Sequence, residues 1–538
     1  MILLNGRLAR IVHPLQMQSL LPQDLGLKWR RIVASSDRRT ITTDAPPAAA
    51  GGADPSLDPN EWSGLRALGH QMLDDVFNEL QGIRAGPVWR PMPDDVRGAW
   101  SDALPRVGVP LADVYDEYQR SIAPYTVGNR HPRFFGWVHG AGTAVGVLAE
   151  MLASGLNANC GGRDHAPIAC ERQVIRWAAE MLGLPRDSSG LVVTGTSVAN
   201  LVAVIIARSA ALGPAVRRDG IGESKLVAYA SAAVHLCVGR ALDITGLGAR
   251  ALRLIPCDTA GAMDVAALRA AIAADRERDM LPFLVVGTAG SVDTGAIDDL
   301  EEIASVCAEQ RLWFHVDAAF GAIAMLSAAL RPLFAGIERA DSVAFDFHKW
   351  AQVPYDAGCI VVRDPAGHEA AFSHQAAYLK YQMRGLAAGR PWPVDLGPEL
   401  SRGFRALKVW MTIKAFGANR LGNVAERSCL LARRLAAAID NEPLLERTAP
   451  VRLNIVCFRY RPGDDELQTA IAADLQEAGD VVLSTTTIGG RTVLRAAFVN
   501  HRSDEGDADA VIPAVLGAGL RRLGAAAVAA DQASHTPD

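Results

Sequence analysis

Between about residues 190 and 363 the chain alternates short apolar runs with amphipathic stretches. The runs are Leu191–Val193, Lys225–Tyr229, Phe283–Val286, Leu312–Val316, Ser342–Phe347 and Cys359–Val362. Each has strand length, and helical patterns separate several of them, which predicts an α/β domain with a mostly parallel sheet. Ligands of such sheets bind at the carboxyl ends of the strands. Upstream, Leu65, Leu68, Met72, Leu73, Val76, Phe77 and Leu80 recur at helical spacing. Asp58-Pro59-Asn60-Glu61 before them reads as an N-cap, a proline at the first helical position and a capping-box glutamate. The broad apolar face of that helix must pack on the protein's own core or on a partner subunit. A further amphipathic helix is predicted over Glu171–Leu182. The stretch 364–400 has little periodicity and reads as a long loop, which in a compact enzyme is functional or disordered. Beyond it, helices over Phe404–Phe416 and Leu421–Ile439 and strands near Val451–Tyr460 and Val493–Val499 predict a smaller α+β domain. The first 57 residues carry a basic cluster, Lys28-Trp29-Arg30-Arg31, and an alanine-, proline- and glycine-rich linker, so a disordered extension is expected. The alanine-rich tail from 526 is expected to fray.

Composition narrows the class. With 49% hydrophobic and 21% charged residues in 538, the chain reads as an ordinary globular protein of two or more domains. The net charge of −5 gives no basic excess, so no nucleic-acid partner is expected. Eight scattered cysteines form no C-x-x-C, which argues against a zinc site and a disulfide framework and suits a reducing cytoplasm. The apolar stretches are too short to span a bilayer, and the N-terminus has no continuous apolar signal region, so no membrane association is expected.

The chemistry gathers at the predicted strand ends. The run Ser342–Phe347 leads into His348-Lys349-Trp350. A lysine in such apolar surroundings is costly to bury unless its pKa falls, and a deprotonated lysine typically forms a Schiff base with a carbonyl cofactor. A surface lysine past a strand is the plain alternative. Thr194-Gly195-Thr196-Ser197 turns from strand into helix and offers hydroxyls and unpaired N–H groups to a phosphate. No Gly-Lys-Ser/Thr follows, so it is not a P-loop, and an ordinary capped helix competes with the phosphate reading. Gly287–Ser291 lies past another strand as a second polar lip or a plain turn. Asp317 ends the strand His315-Val316-Asp317 and needs a positive partner. The protonated ring nitrogen of pyridoxal phosphate is one such partner, and a structural salt bridge is the alternative. His235 has the ring to stack on an aromatic cofactor, or is simply packed. The ring-rich segment His131-Pro132-Arg133-Phe134-Phe135-Gly136-Trp137-Val138 reads equally as core or as the lining of a pocket for a flat substrate.

Taken in order, these motifs resemble the pyridoxal-phosphate-dependent group II amino-acid decarboxylases, the family that includes the aromatic-L-amino-acid decarboxylases. Pro87-Val88-Trp89-Arg90-Pro91, His131–Phe135, His315–Ala319, Asp346–Trp350, Phe404–Trp410 and Phe498–Arg502 carry the resemblance, from about residue 59 to about 515. It implies a fold-type-I, aspartate-aminotransferase-like large domain over 131–400 with a mobile loop at 373–397. A helical dimerisation segment at 58–130 and a small domain at 401–525 complete the expected arrangement. By the same resemblance Lys349 holds the cofactor, Asp317 pairs with its ring nitrogen, and His235 and Ala319 face its two sides. Gly195, Thr196, Ser197 and Thr288 surround the phosphate, His348 adjoins the lysine, and Phe134, Phe135, Trp137 and Val138 lie on the substrate side. A homodimer with shared active sites is also implied. Two positions depart from the family: Val198 stands where a glutamate is frequent, and Trp392-Pro393-Val394 falls where the loop carries a proton-donating tyrosine. Tyr378, Tyr381 and His348 are the remaining donor candidates, with His348 ranked first. The expected reaction is decarboxylation of an L-amino acid, aromatic by first choice, to the amine. An acidic substrate held by Arg130 and Arg133, oxidative deamination to an aldehyde, and a non-catalytic paralogue are the alternatives.

Overall fold

The protein is described by a computed structural model over residues 56–373 and 382–534. The chain divides into two compact units, Met1–Ala67 and Leu68–Asp538. A helix at Trp62–Gln81 spans the division, and none of its residues is buried. It starts four residues later than the expected cap: Asp58 and Pro59 lie outside it, and Glu61 accepts the Ser63 N–H at 3.2 Å instead.

The second unit is built on two sheets. The larger has seven strands: β1 (Ser189–Val193), β2 (Leu226–Ser231), β3 (Leu252–Ile255), β4 (Leu281–Thr288), β5 (Trp313–Asp317), β6 (Ser342–Asp346) and β7 (Gly358–Val362). Their order is β1-β7-β6-β5-β4-β2-β3, and all neighbours are parallel except those of β7, which runs antiparallel to both β1 and β6. Strands β2, β6 and β7 are buried throughout because helices cover both faces, which is why they read as unbroken apolar runs rather than alternations. Turn chemistry delimits the helices. Thr143 caps Ala144–Leu156, Asp299 caps Leu300–Gln310, and Gly183 in the left-handed region ends Ala166–Leu182.

The smaller sheet is antiparallel: β8 (Leu445–Arg447), β9 (Ile455–Tyr460), β10 (Ser484–Ile488) and β11 (Arg491–Ala497), in the order β10-β11-β9-β8. Helices Ala418–Asp440, Asp465–Ala478 and Val511–Ser534 accompany it, and its core joins Leu435, Phe458, Leu475, Leu494 and Val515. The last helix carries regular backbone past residue 526, where fraying was expected.

The stretch 364–400 departs from its reading as loop. Asp364 accepts the Ala366 N–H and starts a helix over Pro365–Phe372, with proline in its first turn. Farther on, Trp392 is fully buried, with its indole N–H on the Ala388 carbonyl, and Arg163 lies over its ring. This end of the expected mobile segment is therefore anchored. Tyr378 and Tyr381 lie outside the described residues.

Candidate active site

Four parallel strands deliver their carboxyl ends to one cavity of about 510 Å³. β1 contributes the turn Thr194–Ser197, β4 contributes Thr288, β5 contributes Asp317 and Ala319, and β6 contributes Asp346, His348 and Lys349. His235, after β2, also lines it. These eleven residues include all nine positions expected to contact the cofactor. Two glycines permit their convergence. A Cβ on Gly358 would lie 2.4 Å from the Gly195 Cα, and one on Gly140 would lie 2.2 Å from the His348 carbonyl oxygen. Without side chains there, β7 seats the turn and the segment 137–140 closes on the lysine.

Lys349 does not lie in the purely apolar setting suggested by its sequence neighbours. Its Nζ is 3.0 Å from Asp346 Oδ2, and the other oxygen of Asp346 accepts the Thr196 N–H at 2.7 Å. Asp346 thus offsets the burial of the ammonium and ties the lysine turn to the β1 turn. The Thr196 and Thr288 hydroxyls are buried in the cavity wall with no hydrogen-bond partner among the described residues. Orphaned hydroxyls on two strand ends, beside Ser197, fit an acceptor-rich group such as a phosphate. The residues present therefore fit a phosphorylated aldehyde cofactor on this structure's own terms. Thr288 is itself held by Asp298, which accepts its N–H at 2.7 Å and is pushed up to about 6 by burial.

Asp317 is deeply buried. Burial pushes its carboxyl upward, and the contacts opposing that are the Asn200 amide at 2.9 Å and the Ala319 N–H at 3.1 Å, with Lys349 and His235 nearby. His235 caps the helix Leu236–Ile244, its Nδ1 accepting the Cys237 N–H at 3.3 Å, which leaves a proton for Nε2. His348 Nδ1 accepts the Ala357 N–H at 3.0 Å, so its proton is on Nε2, 3.6 Å from Asp346. Burial lowers the pKa of His348, and the same cause lowers that of His139, which also lines the cavity.

The substrate side is corrected in part. Trp137 and Val138 line the cavity. Phe134 and Phe135 do not. Phe134 packs with Val88 and Val482, whereas Phe135 enters the core of the smaller sheet, 4.6 Å from Phe498. The segment lies along the small sheet, with Phe135 N–H on the Val482 carbonyl and Ala497 N–H on the Phe135 carbonyl, so both rings are drawn into packing. Arg130 pairs with Glu79 and Arg133 with Asp507, away from the cavity.

Several residues of the site were not singled out from the sequence. Asn200 follows Thr196 by one helical turn, a spacing that puts both on one face. Asp346 and His315 sit inside motifs already noted but had no assigned role. Tyr355 and Phe320 complete the apolar wall, with the Tyr355 ring 4.2 Å from that of His348. Arg495 is buried. It donates to the carbonyls of Gly136 (2.7 Å) and Asp293 (3.2 Å), while its Nη2 has no partner among the described residues. No local signal marks this arginine; only the fold brings its charge within reach of His139 in the cavity lining.

Comparison with known proteins gives a concordant result. The family model "Pyridoxal-dependent decarboxylase conserved domain" matches residues 93–461. The chain is 32% identical to an aromatic-L-amino-acid decarboxylase of Bacillus atrophaeus over 82% of its own length and 92% of that protein. It is 29% identical to tryptophan decarboxylase 2 of Oryza sativa subsp. japonica, over 86% and 95%. Among solved structures, Oryza sativa TDC with PLP and tryptamine superposes with a TM-score of 0.80 at 24% identity, covering 87% of this chain and all of that one. The architecture is pyridoxal-phosphate fold type I.

Proposed function

The chain belongs to the group II pyridoxal-phosphate-dependent amino-acid decarboxylases, and from that premise we propose that its substrate is an aromatic L-amino acid, released as amine and CO2. The observation that carries this reading is the aromatic and apolar part of the cavity lining. Trp137, Val138, Phe320 and Tyr355 form it, and among the described residues no arginine lines the cavity. An acidic side chain would need a cation there, and the two arginines considered for that task, Arg130 and Arg133, are paired with Glu79 and Asp507. The similarity to aromatic-amino-acid and tryptophan decarboxylases supports the same choice.

In this reading Lys349 is the amine that would hold the cofactor, and Asp346 Oδ2 lies 3.0 Å from its Nζ. Thr196, Ser197 and Thr288 take the phosphate, with Gly195 at the turn. Asp317 would pair with the ring nitrogen, and His235 and Ala319 would hold the ring. Bound there, pyridoxal phosphate supplies an electron-withdrawing ring that accepts the charge left when the carboxylate departs. The aromatic wall excludes water while the substrate carbon takes a proton. His348, with its proton on Nε2, is our candidate donor.

We further infer that two chains pair. No residue of Trp62–Gln81 is buried within one chain, and Met151, Leu152 and Leu156 are exposed on another helix. Eight free thiols are consistent with work in a reducing cytoplasm.

The test is a panel of L-amino acids with CO2, amine and aldehyde measured together. Aromatic substrates are expected to give the highest kcat/KM, with amine as the main product. Preference for glutamate or aspartate would refute the substrate class, and dominant aldehyde would refute the reaction.

A further inference from the structure

We propose that His315 is a positioning residue that, through Asn200, orients the Asp317 carboxylate and keeps it an acceptor for the cofactor's ring nitrogen. The inference rests on the assignment of Asp317 made above. A continuous chain of hydrogen bonds carries it. The Trp313 indole N–H donates to Ser342 Oγ at 2.9 Å, and the Ser342 hydroxyl donates to His315 Nδ1 at 2.8 Å. His315 Nε2–H donates to Asn200 Oδ1 at 2.7 Å, and Asn200 Nδ2 donates to Asp317 Oδ2 at 2.9 Å. All the groups between Trp313 and Asp317 are buried.

The two ends fix the direction of every bond between them. An indole N–H only donates, and a carboxylate only accepts. The carboxylate forces Asn200 to present its NH2, so the Asn200 oxygen faces His315 and Nε2 must bear the proton. Burial pulls His315 down to about 3, so Nδ1 stays unprotonated and accepts the Ser342 hydroxyl rather than donating to the Ser342 carbonyl 3.1 Å away. Neutral histidine in one tautomer is the only form that completes the chain. Its effect falls on a carboxylate that burial alone would protonate. Lys349, His235 and Cys237 are the titratable groups that interact with Asp317, and Lys349 is already paired with Asp346. Without Asn200, among the described residues only the Ala319 N–H would remain as a donor to Asp317.

The same bonds also stitch β5, β6 and the helix Thr196–Leu212 together, so the test must separate positioning from packing. His315→Phe, His315→Gln, Asp317→Asn and the His315→Phe/Asp317→Asn double variant are stripped of cofactor and reloaded with pyridoxal phosphate. The readouts are its dissociation constant, the pH titration of its visible absorption band, kcat and KM, and urea unfolding of the stripped proteins. A hydrogen bond to a charged group contributes enough that His315→Phe is expected to raise the dissociation constant about tenfold. The band's titration should shift and kcat should fall with KM nearly unchanged. His315→Gln retains an N–H for Asn200 and should recover most of the loss. In the Asp317→Asn background His315→Phe should change the constant less than twofold. An equal effect in both backgrounds would overturn the relay and leave His315 as packing. So would wild-type binding and titration in His315→Phe while Asp317→Asn is impaired. Normal behaviour of Asp317→Asn itself would instead remove the assignment on which the relay stands. Should His315→Phe fail to fold, Ser342→Ala removes only the next link and should give the same shifts in smaller measure; no shift would equally overturn the proposal.

Discussion

Arg402→Met tests how the site's first turn is held. Arg402 is 3% exposed and makes two bonds to Glu171, at 3.0 and 2.6 Å. It also donates to the carbonyls of Cys160 (3.2 Å) and Val192 (2.6 Å). Glu171 in turn accepts the Val192 N–H at 2.9 Å, so the pair grips β1 two residues before the turn at Thr194. Methionine fills much of the space but leaves a buried carboxylate with one N–H partner and two carbonyls short of a donor. Removing one member of a buried pair costs about 3–5 kcal/mol, whereas removing the charge on both sides costs much less. Arg402→Met should therefore lose about 4 kcal/mol. Adding Glu171→Gln should return about 2 kcal/mol, because the amide oxygen still accepts from Val192. The assay is urea unfolding of the stripped protein at pH 7, with midpoint and slope both fitted. A loss below about 1 kcal/mol for the single variant, or a double variant no more stable than the single, would refute the reasoning.

Three other outcomes are expected. Borohydride reduction of the loaded enzyme followed by peptide mapping should label Lys349; a label on Lys408, which is buried against Glu150, or on Lys380 would sink its assignment. His368 sits between the Ser189 hydroxyl and the Leu396 carbonyl, both at 2.7 Å, and burial holds it at about 4. The unfolded chain binds the proton more readily, so the stability is fully present above pH 6.5 and is lost as pH falls toward 4, about 2 kcal/mol by pH 5. His368→Gln should flatten the fall of the urea midpoint between pH 8 and 5, and an unchanged slope would show that other groups cause it. If His348 delivers the proton to carbon, His348→Gln should lower amine formation and raise the aldehyde and peroxide formed in air; unchanged amine removes it as donor.

The sequence exposed those parts of the fold where both sheet faces are covered. Runs such as Leu226–Tyr229 and Cys359–Val362 have no alternation to misread. The strands that escaped lie at sheet edges and lack that signature. Leu252–Ile255 is broken by Arg253, Ser484–Ile488 is a threonine run, and Leu445–Arg447 is three residues long. Site residues inside contiguous motifs were legible because a strand end and its turn keep sequence neighbours together in space. Phe134 and Phe135 were misplaced because ring content cannot tell a pocket wall from a core; only the contact with Val482 and Phe498 decides it. Asn200, Tyr355 and Arg495 reach the cavity region from separate elements, and their roles depend on packing that no local spacing encodes.

The placement of β7 has a consequence for the order in which the molecule is made. Among the described residues β1 pairs with no strand except β7, and the whole of β2 to β6 lies between them in the chain. The turn after β1 leaves the ribosome early, yet it has no neighbour in the sheet until the β6–β7 antiparallel pair has been synthesised. Pairing over such a separation is slow to close. The cofactor pocket therefore cannot close until β7 has been made, and a nascent polypeptide that ends before Gly358 has the Thr194–Ser197 turn but no strand to hold it.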